Sequence, residues 1–173
     1  MSTDDDRSEG ARQVALDRLQ VTAFTETAYD DLTRLAAQLC DTPVALVSLI
    51  DGDRQWFKSH FGTEMTQTPR SQAFCAHAIQ SPDRVMVVED ASVDPRFRDN
   101  PLVTGEPRIR FYAGAPLVSS SGHALGTICI LDTAPRTLSA ERMDTLRFLA
   151  QQVVAKLEER APPSGSDDRP AQA

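Results

Sequence analysis

Apolar residues recur every three or four positions in some stretches of this chain and every second position in others. These two periods mark out its elements. Over residues 25–40, Ala28, Leu32, Leu35 and Leu39 make one apolar stripe along a helix, which Asp41, Thr42 and Pro43 end. A shorter helix is expected ahead of it, over 12–20. Residues 44–50 are a strongly apolar strand, Asp51-Gly52-Asp53 is a hairpin turn, and 54–61 is the returning strand. Strict alternation there puts Gln55, Phe57, Ser59 and Phe61 on one face and Trp56, Lys58 and His60 on the other. Residues 62–69 read as a loop, 71–81 as a short helix and 85–88 as a third strand. Asp94-Pro95 and Asn100-Pro101 each pair a capping residue with proline at a first helical position, which predicts two short helical turns. Residues 109–118 and 124–131 form a second hairpin. Ser139 caps a last helix that runs to about residue 160, with Glu141 in its first turn.

This order of helices and antiparallel hairpins predicts an α+β domain of two or three layers. On the last helix, Met143, Leu146, Ala150, Val153 and Leu157 alternate spacings of three and four, as a heptad seam does. Phe148, Leu149 and Val154 widen the stripe beyond one contact. Part of it is expected to cover the sheet, and the rest to join the N-terminal helix in a homodimer.

Composition narrows the partners. The chain has 173 residues, a net charge of −7 and a pI near 4.9, which argues against nucleic acid, whose phosphates need a basic surface. No apolar run approaches a membrane span, and residues 1–10 lack the parts of a secretory signal. Three cysteines without CxxC spacing read as reduced thiols of a cytoplasmic protein. The expected organisation is a disordered acidic tail over 1–11, one domain over 12–160 and a disordered tail over 161–173.

Five segments carry the most information: Phe74-Cys75-Ala76-His77, Asp94-Pro95-Arg96-Phe97, Asn100-Pro101, Arg110-Phe111-Tyr112-Ala113-Gly114 and Leu125-Gly126-Thr127. Together they resemble the GAF domain family, in particular its bacterial signalling subgroup, found beside histidine kinase or diguanylate cyclase domains. The resemblance covers residues 30–156. It implies a central antiparallel sheet with the terminal helices on one face. On the other it implies a ligand pocket roofed by loops and short helices, here 63–80 and 91–107. The ligand-binding residues implied are Phe57, Phe74, Cys75, His77, Arg96, Phe111 and Cys129, with Phe57, Phe111 and Cys129 in the floor. An unidentified small-molecule ligand is implied and no cofactor. A separate histidine kinase or cyclase is expected as partner, because the pattern ends soon after the last helix.

Cys75 and His77 invite a catalytic reading, since a nucleophilic thiol needs a nearby base and a lowered pKa. At i and i+2 on a helix, however, they point about 200° apart. Among Cys40, Cys75, His60, His77 and His123, the one close pair is Cys75-x-His77, so no metal site is expected. GAF-like enzymes that reduce free methionine sulfoxide use several roof cysteines, whereas this roof carries Cys75 alone. The cyclic-nucleotide signature is missing, and so is the bilin-attachment pattern of phytochromes. Arg96, Arg98, Arg108 and Arg110 lie among Asp90, Asp94, Asp99 and Glu106, which reads as ion pairs within an irregular loop. In the strand, Arg110 and Tyr112 face away from Ile109, Phe111 and Ala113. The expectation is a sensory module that works by ligand-linked population shift. A thiol-dependent enzyme and a protein-interaction module with an empty pocket are the alternatives.

Overall fold

The computed structural model describes residues 2–19 and 27–160. Helices α1 (Ser2–Leu19) and α2 (Thr27–Cys40) come first, followed by strands β1 (Val44–Asp51), β2 (Arg54–Phe61) and β3 (Gln67–Pro69). A 3-10 turn (Arg70–Gln72) leads into helix α3 (Phe74–Ala78) and strand β4 (Met86–Val88). A second 3-10 turn (Ala91–Val93) and helix α4 (Pro101–Thr104) precede strands β5 (Phe111–Val118) and β6 (Ala124–Asp132) and helix α5 (Ala140–Arg160). The strands make one antiparallel sheet in the order β3-β2-β1-β6-β5-β4, with a three-residue strand at each edge. Among the described residues no helix is long and apolar enough to cross a membrane.

Strand alternation divides the interior into two layers. Ala45, Val47 and Leu49 of β1, Phe111, Ala113, Ala115 and Leu117 of β5, and Ile128 and Ile130 of β6 pack against α1, α2 and α5. Leu46, Tyr112, Cys129 and Leu131 point the other way, under the short helices and turns between β3 and β5. The heptad-like residues Leu146, Ala150, Val153 and Leu157 are all buried in the first layer, together with Leu149. Phe148 is left outside at 58% exposure.

Three expectations need correction. The stripe on α2 points the wrong way: Leu35 and Leu39 are 39% and 50% exposed, while Tyr29, Thr33, Ala36, Ala37 and Cys40 face inward. Small alanines and a polar seam hold this helix to the sheet. Thr33 Oγ1 lies 2.8 Å from Ser59 Oγ, which donates to Asp30 Oδ1 at 2.5 Å. Second, the β1–β2 register shifts between Val47 and Ser48, leaving Lys58 as the extra residue. The alternation of β2 therefore changes phase, so that Ser59 faces α2 although Phe57 lies under the roof. At Asp94-Pro95 the expected turn forms: the Asp94 carboxylate accepts from the Arg96 N–H at 2.9 Å, and its carbonyl from the N–H groups of Phe97 and Arg98 at 3.0 and 2.8 Å.

The third concerns the N-terminus, where helix runs from Ser2 in place of a tail to residue 11. Tertiary contacts anchor it. The Arg12 side chain is only 7% exposed and donates to the carbonyls of Ile50 (2.9 Å) and Leu125 (3.4 Å), at the ends of two central strands. Gln13 spans the hairpin turn, donating to Asp51 Oδ1 and accepting from Gly52 N, both at 2.9 Å. Glu9 pairs with Arg12 at 3.0 Å and with Arg70 at 2.8 Å. The tail expected over 161–173 lies outside the described residues.

Candidate functional site

The roof is built from pieces too short to be stable alone, and its apolar undersides hold it in place. Phe74, on α3, stacks on Phe97 with ring centroids 4.1 Å apart and planes 4° from parallel, and it tilts against Tyr112 at 5.2 Å. His77 meets Phe97 edge-on at 4.8 Å, and the Arg96 guanidinium lies over the same ring at 5.1 Å. Arg96 is anchored by Asp94 at 2.8 Å. Phe57, Leu46, Val88, Ala91, Leu102, Val103, Ile109, Cys129 and Leu131 complete the cluster.

A short polar spine runs through this apolar layer. The Tyr112 and Thr127 hydroxyls are 3.2 Å apart, and those of Thr127 and Ser48 are 3.3 Å apart. The Cys75 thiol donates to the Ser48 carbonyl at 3.9 Å. All five residues Ser48, Cys75, Tyr112, Thr127 and Cys129 are essentially closed to solvent. Gly114 makes the tyrosine's position available, since a Cβ there would stand 2.3 Å from Tyr112 Oη.

Burial sets the acid–base character of the site. It pushes the Cys75 thiol up, although hydrogen bonds to Ser48 and Thr127 oppose it. It pushes Cys129 up to about 12, with neighbouring Cys75 adding to the effect, and raises the Tyr112 phenol well above its ordinary value. Cys40, far from the roof, is raised by burial as well. Burial, and then the Arg96 charge, lower His77, so the neutral imidazole is favoured. The Arg96 hydrogen bond holds Asp94 below the usual carboxylate range. Thiols this buried and this weakly acidic make poor nucleophiles. In a thiol titration with Ellman's reagent at pH 8, Cys40, Cys75 and Cys129 should stay silent in the native protein and all react once urea unfolds it.

Six of the seven residues singled out from sequence lie on or under the roof. Phe57, Phe74 and Cys129 share one cluster, and His77 and Arg96 close over Phe97. Cys75 sits in an adjoining apolar cluster with Ile50, Ala73 and Ile79. Phe111 is on the opposite face, against the helices, because β5 begins with it and alternation then sends Tyr112 under the roof. Sequence reasoning passed over Phe97, Tyr112, Ser48 and Thr127 as site residues. Two of them had a visible signal: Ser48 and Thr127 are hydroxyls set in otherwise apolar strands. Among the described residues, an open groove of about 210 Å³ lies elsewhere, between α5 and β5, lined by Val85, Pro116, Arg147 and Val154 among others. It includes none of the seven residues.

The model of one family, the GAF domain, matches residues 25–157. The chain belongs to the GAF domain family. This GAF domain is 44% identical over 151 residues to the cyclic di-GMP phosphodiesterase PA2567 of Pseudomonas aeruginosa. The match covers 86% of this chain but 26% of that protein, so the domain spans about a quarter of its relative's length. Among solved structures it is similar to the GAF domain of an Acinetobacter phosphoenolpyruvate-protein phosphotransferase (TM-score 0.64, 18% identity, 84% of this chain and 93% of that one). It is also similar to the type II free methionine-R-sulfoxide reductase of Thermoplasma acidophilum (TM-score 0.65, 12% identity, 82% and 97%). A third neighbour is the chromophore-binding domain of a bacteriophytochrome from R. palustris (TM-score 0.63, 15% identity, 92% and 63%). At such identities these likenesses concern the fold, and a fold shared by sensors and a reductase does not choose between them.

Proposed function

We propose that this GAF domain is a regulatory module. It takes up a small molecule under its roof and passes the change to its terminal helices. A linked or separate signalling enzyme, of the cyclic di-GMP phosphodiesterase, cyclase or histidine kinase class, reads that change. The observation that carries this reading is the shared use of β5 and β6. Tyr112 and Cys129 contact the roof, while their immediate neighbours Phe111, Ala113, Ile128 and Ile130 contact the helices. A shift of either strand is felt on both faces, because a packed interior transmits strain. The identity to part of a phosphodiesterase supports cyclic di-GMP signalling as the setting.

The test is to exchange this domain for the matching quarter of the relative and measure cyclic di-GMP hydrolysis. A working hybrid whose rate changes at least threefold with Phe74→Ala supports regulation through the roof. A hybrid indifferent to that change refutes it. Native mass spectrometry of the domain purified from its own host would identify the small molecule. The domain alone should reduce no methionine sulfoxide, since its thiols are buried.

The helices also suit self-association. Leu35 and Leu39 on α2 and Phe148 on α5 expose apolar surface on two helices that pack together. We place the homodimer contact there. Sedimentation velocity at tens of micromolar should show a dimer for the unaltered chain and a monomer for Leu35→Glu/Leu39→Glu. A monomer in both cases removes the idea.

A further inference from the structure

Residues 90–109, between β4 and β5, are bonded almost entirely to themselves. The backbone bonds within the segment run from Val93 to Asp90, Phe97 and Arg98 to Asp94, Asn100 to Phe97, Thr104 to Asn100 and Ile109 to Leu102. Its two ends meet, with Ala91 N donating to the Arg110 carbonyl at 2.6 Å. Among the described residues, Asn100 Nδ2 ties the span to the body through the Gln72 carbonyl at 3.1 Å, and at the β5 end Arg110 Nη1 donates to the Val103 carbonyl at 3.0 Å. A weak contact from Arg96 to Met86 Sδ at 3.6 Å is added to these. Otherwise the segment rests on apolar contacts made by Phe97, Leu102 and Val103. A loop with joined ends, packed by its own side chains, can move as a unit.

We propose that residues 90–109 are a lid, that the Asn100–Gln72 bond is its latch, and that Phe97 occupies the place of a planar aromatic ligand. The inference rests on the reading of this face as the ligand side. The parallel stack of Phe97 on Phe74 defines a slot one ring thick, with Tyr112 tilted against Phe74 at 5.2 Å. An arginine lies over the Phe97 ring. Raising the lid removes Phe97, and Arg96 with it, and bares the Phe74 face beside Tyr112, whose hydroxyl pairs with that of Thr127 at 3.2 Å. A flat heteroaromatic restores the lost stack, whereas a flexible aliphatic ligand does not. The lid's closed population lowers the apparent affinity in proportion, so loosening the latch should tighten binding without adding a contact.

Asn100→Asp isolates the latch. The carboxylate still caps α4 by accepting from Leu102 N, at 2.8 Å for the asparagine, but it has no donor for Gln72. The probe is indole, followed by calorimetry and by amide hydrogen exchange on the intact chain. Asn100→Asp should speed exchange across 90–109 at least tenfold, leave β1, β5 and β6 unchanged, and bind indole at least threefold more tightly than the unaltered chain. Phe74→Ala in the same background should lose that binding. Phe97→Leu, which keeps an apolar plug but gives up the ring stack, should also gain affinity and provides a second route if the aspartate variant folds poorly. Unchanged exchange in 90–109, equal acceleration throughout the sheet, or indole binding that survives Phe74→Ala overturns the proposal. Because indole serves only as a probe of the slot, lid opening with no effect on a partner enzyme would sink the regulatory role and leave the lid standing. An immobile lid in a hybrid that still responds to Phe74→Ala would do the reverse.

Discussion

Gly126→Ala should abolish cooperative folding or come close to it. Gly126 lies opposite Leu49 where β1 and β6 pair at the centre of the sheet. A Cβ there would stand 1.9 Å from the Ser48 carbonyl oxygen and 2.8 Å from Leu49 Cα. Both are backbone atoms of a central strand, so no side-chain rotation relieves the clash. Overpacking a core usually costs about 1–3 kcal/mol, and displacing a strand belongs at or above the upper end of that range. Against a typical total of roughly 5–15 kcal/mol, one methyl group here removes much of the stability. Urea unfolding followed by Trp56 fluorescence would show the midpoint collapse. A midpoint within about 0.3 M of the parent, a fraction of 1 kcal/mol at ordinary urea slopes, would mean that the two strands separate more readily than their packing indicates.

Arg12→Ala should have the next largest effect. It leaves the carbonyls of Ile50 and Leu125 without a donor where α1 covers them, and it takes one of two cations from Glu9. Removing one partner from a buried charged network costs on the order of 3–5 kcal/mol. Glu9 is partly exposed and keeps Arg70, so the lower end, about 3 kcal/mol, is expected here. Arg12→Lys should recover little, because a single ammonium cannot reach both carbonyls and the carboxylate as the guanidinium fork does. The same network gives stability a pH dependence. Burial pushes the Glu9 carboxyl up, but Arg12 and Arg70 more than offset this and hold it at about 2, against 4.5 ordinarily. Its contribution is therefore fully present above pH 4.5 and is lost as the pH falls towards 2. Thermal melts of Glu9→Gln should lack that acid-side decline, and an unchanged decline would assign it to other carboxylates.

Much of the architecture was legible because local signals and tertiary packing agreed. The Asp51-Gly52 turn, the Ser139 cap, the Asn100-Pro101 start and both hairpins appear where the residues put them. The fold class followed from their order. Failures came where packing overrode a periodic pattern. Leu35 and Leu39 looked like core, yet Ala36 and Ala37 allow α2 to lie close to the sheet, and the leucines turn outward. A single extra residue, Lys58, reversed the faces of the end of β2, which no count of alternating positions can foresee. Phe111 was placed in the floor by resemblance, although alternation within the strand sets it opposite Tyr112. The residues that fill the site, Phe97 above all, come from an irregular segment whose path depends on side-chain turns such as that of Asp94. Local propensity has little hold on such a path.

The borders of the sheet bear on the fate of the protein when it is crowded. β4 pairs with Tyr112, Ala113 and Gly114, and β5 continues past it. The continuation contains Pro116, which has no N–H to offer a newcomer. At the other border β3 is three residues long and closes with Pro69. Neither side presents a long, regular row of donors and acceptors, so strands of a neighbouring molecule find no template for stacking into fibrils. Concentrated samples should therefore stay free of cross-β aggregates for as long as the fold holds. Clumping, when it comes, should begin from unfolded chains.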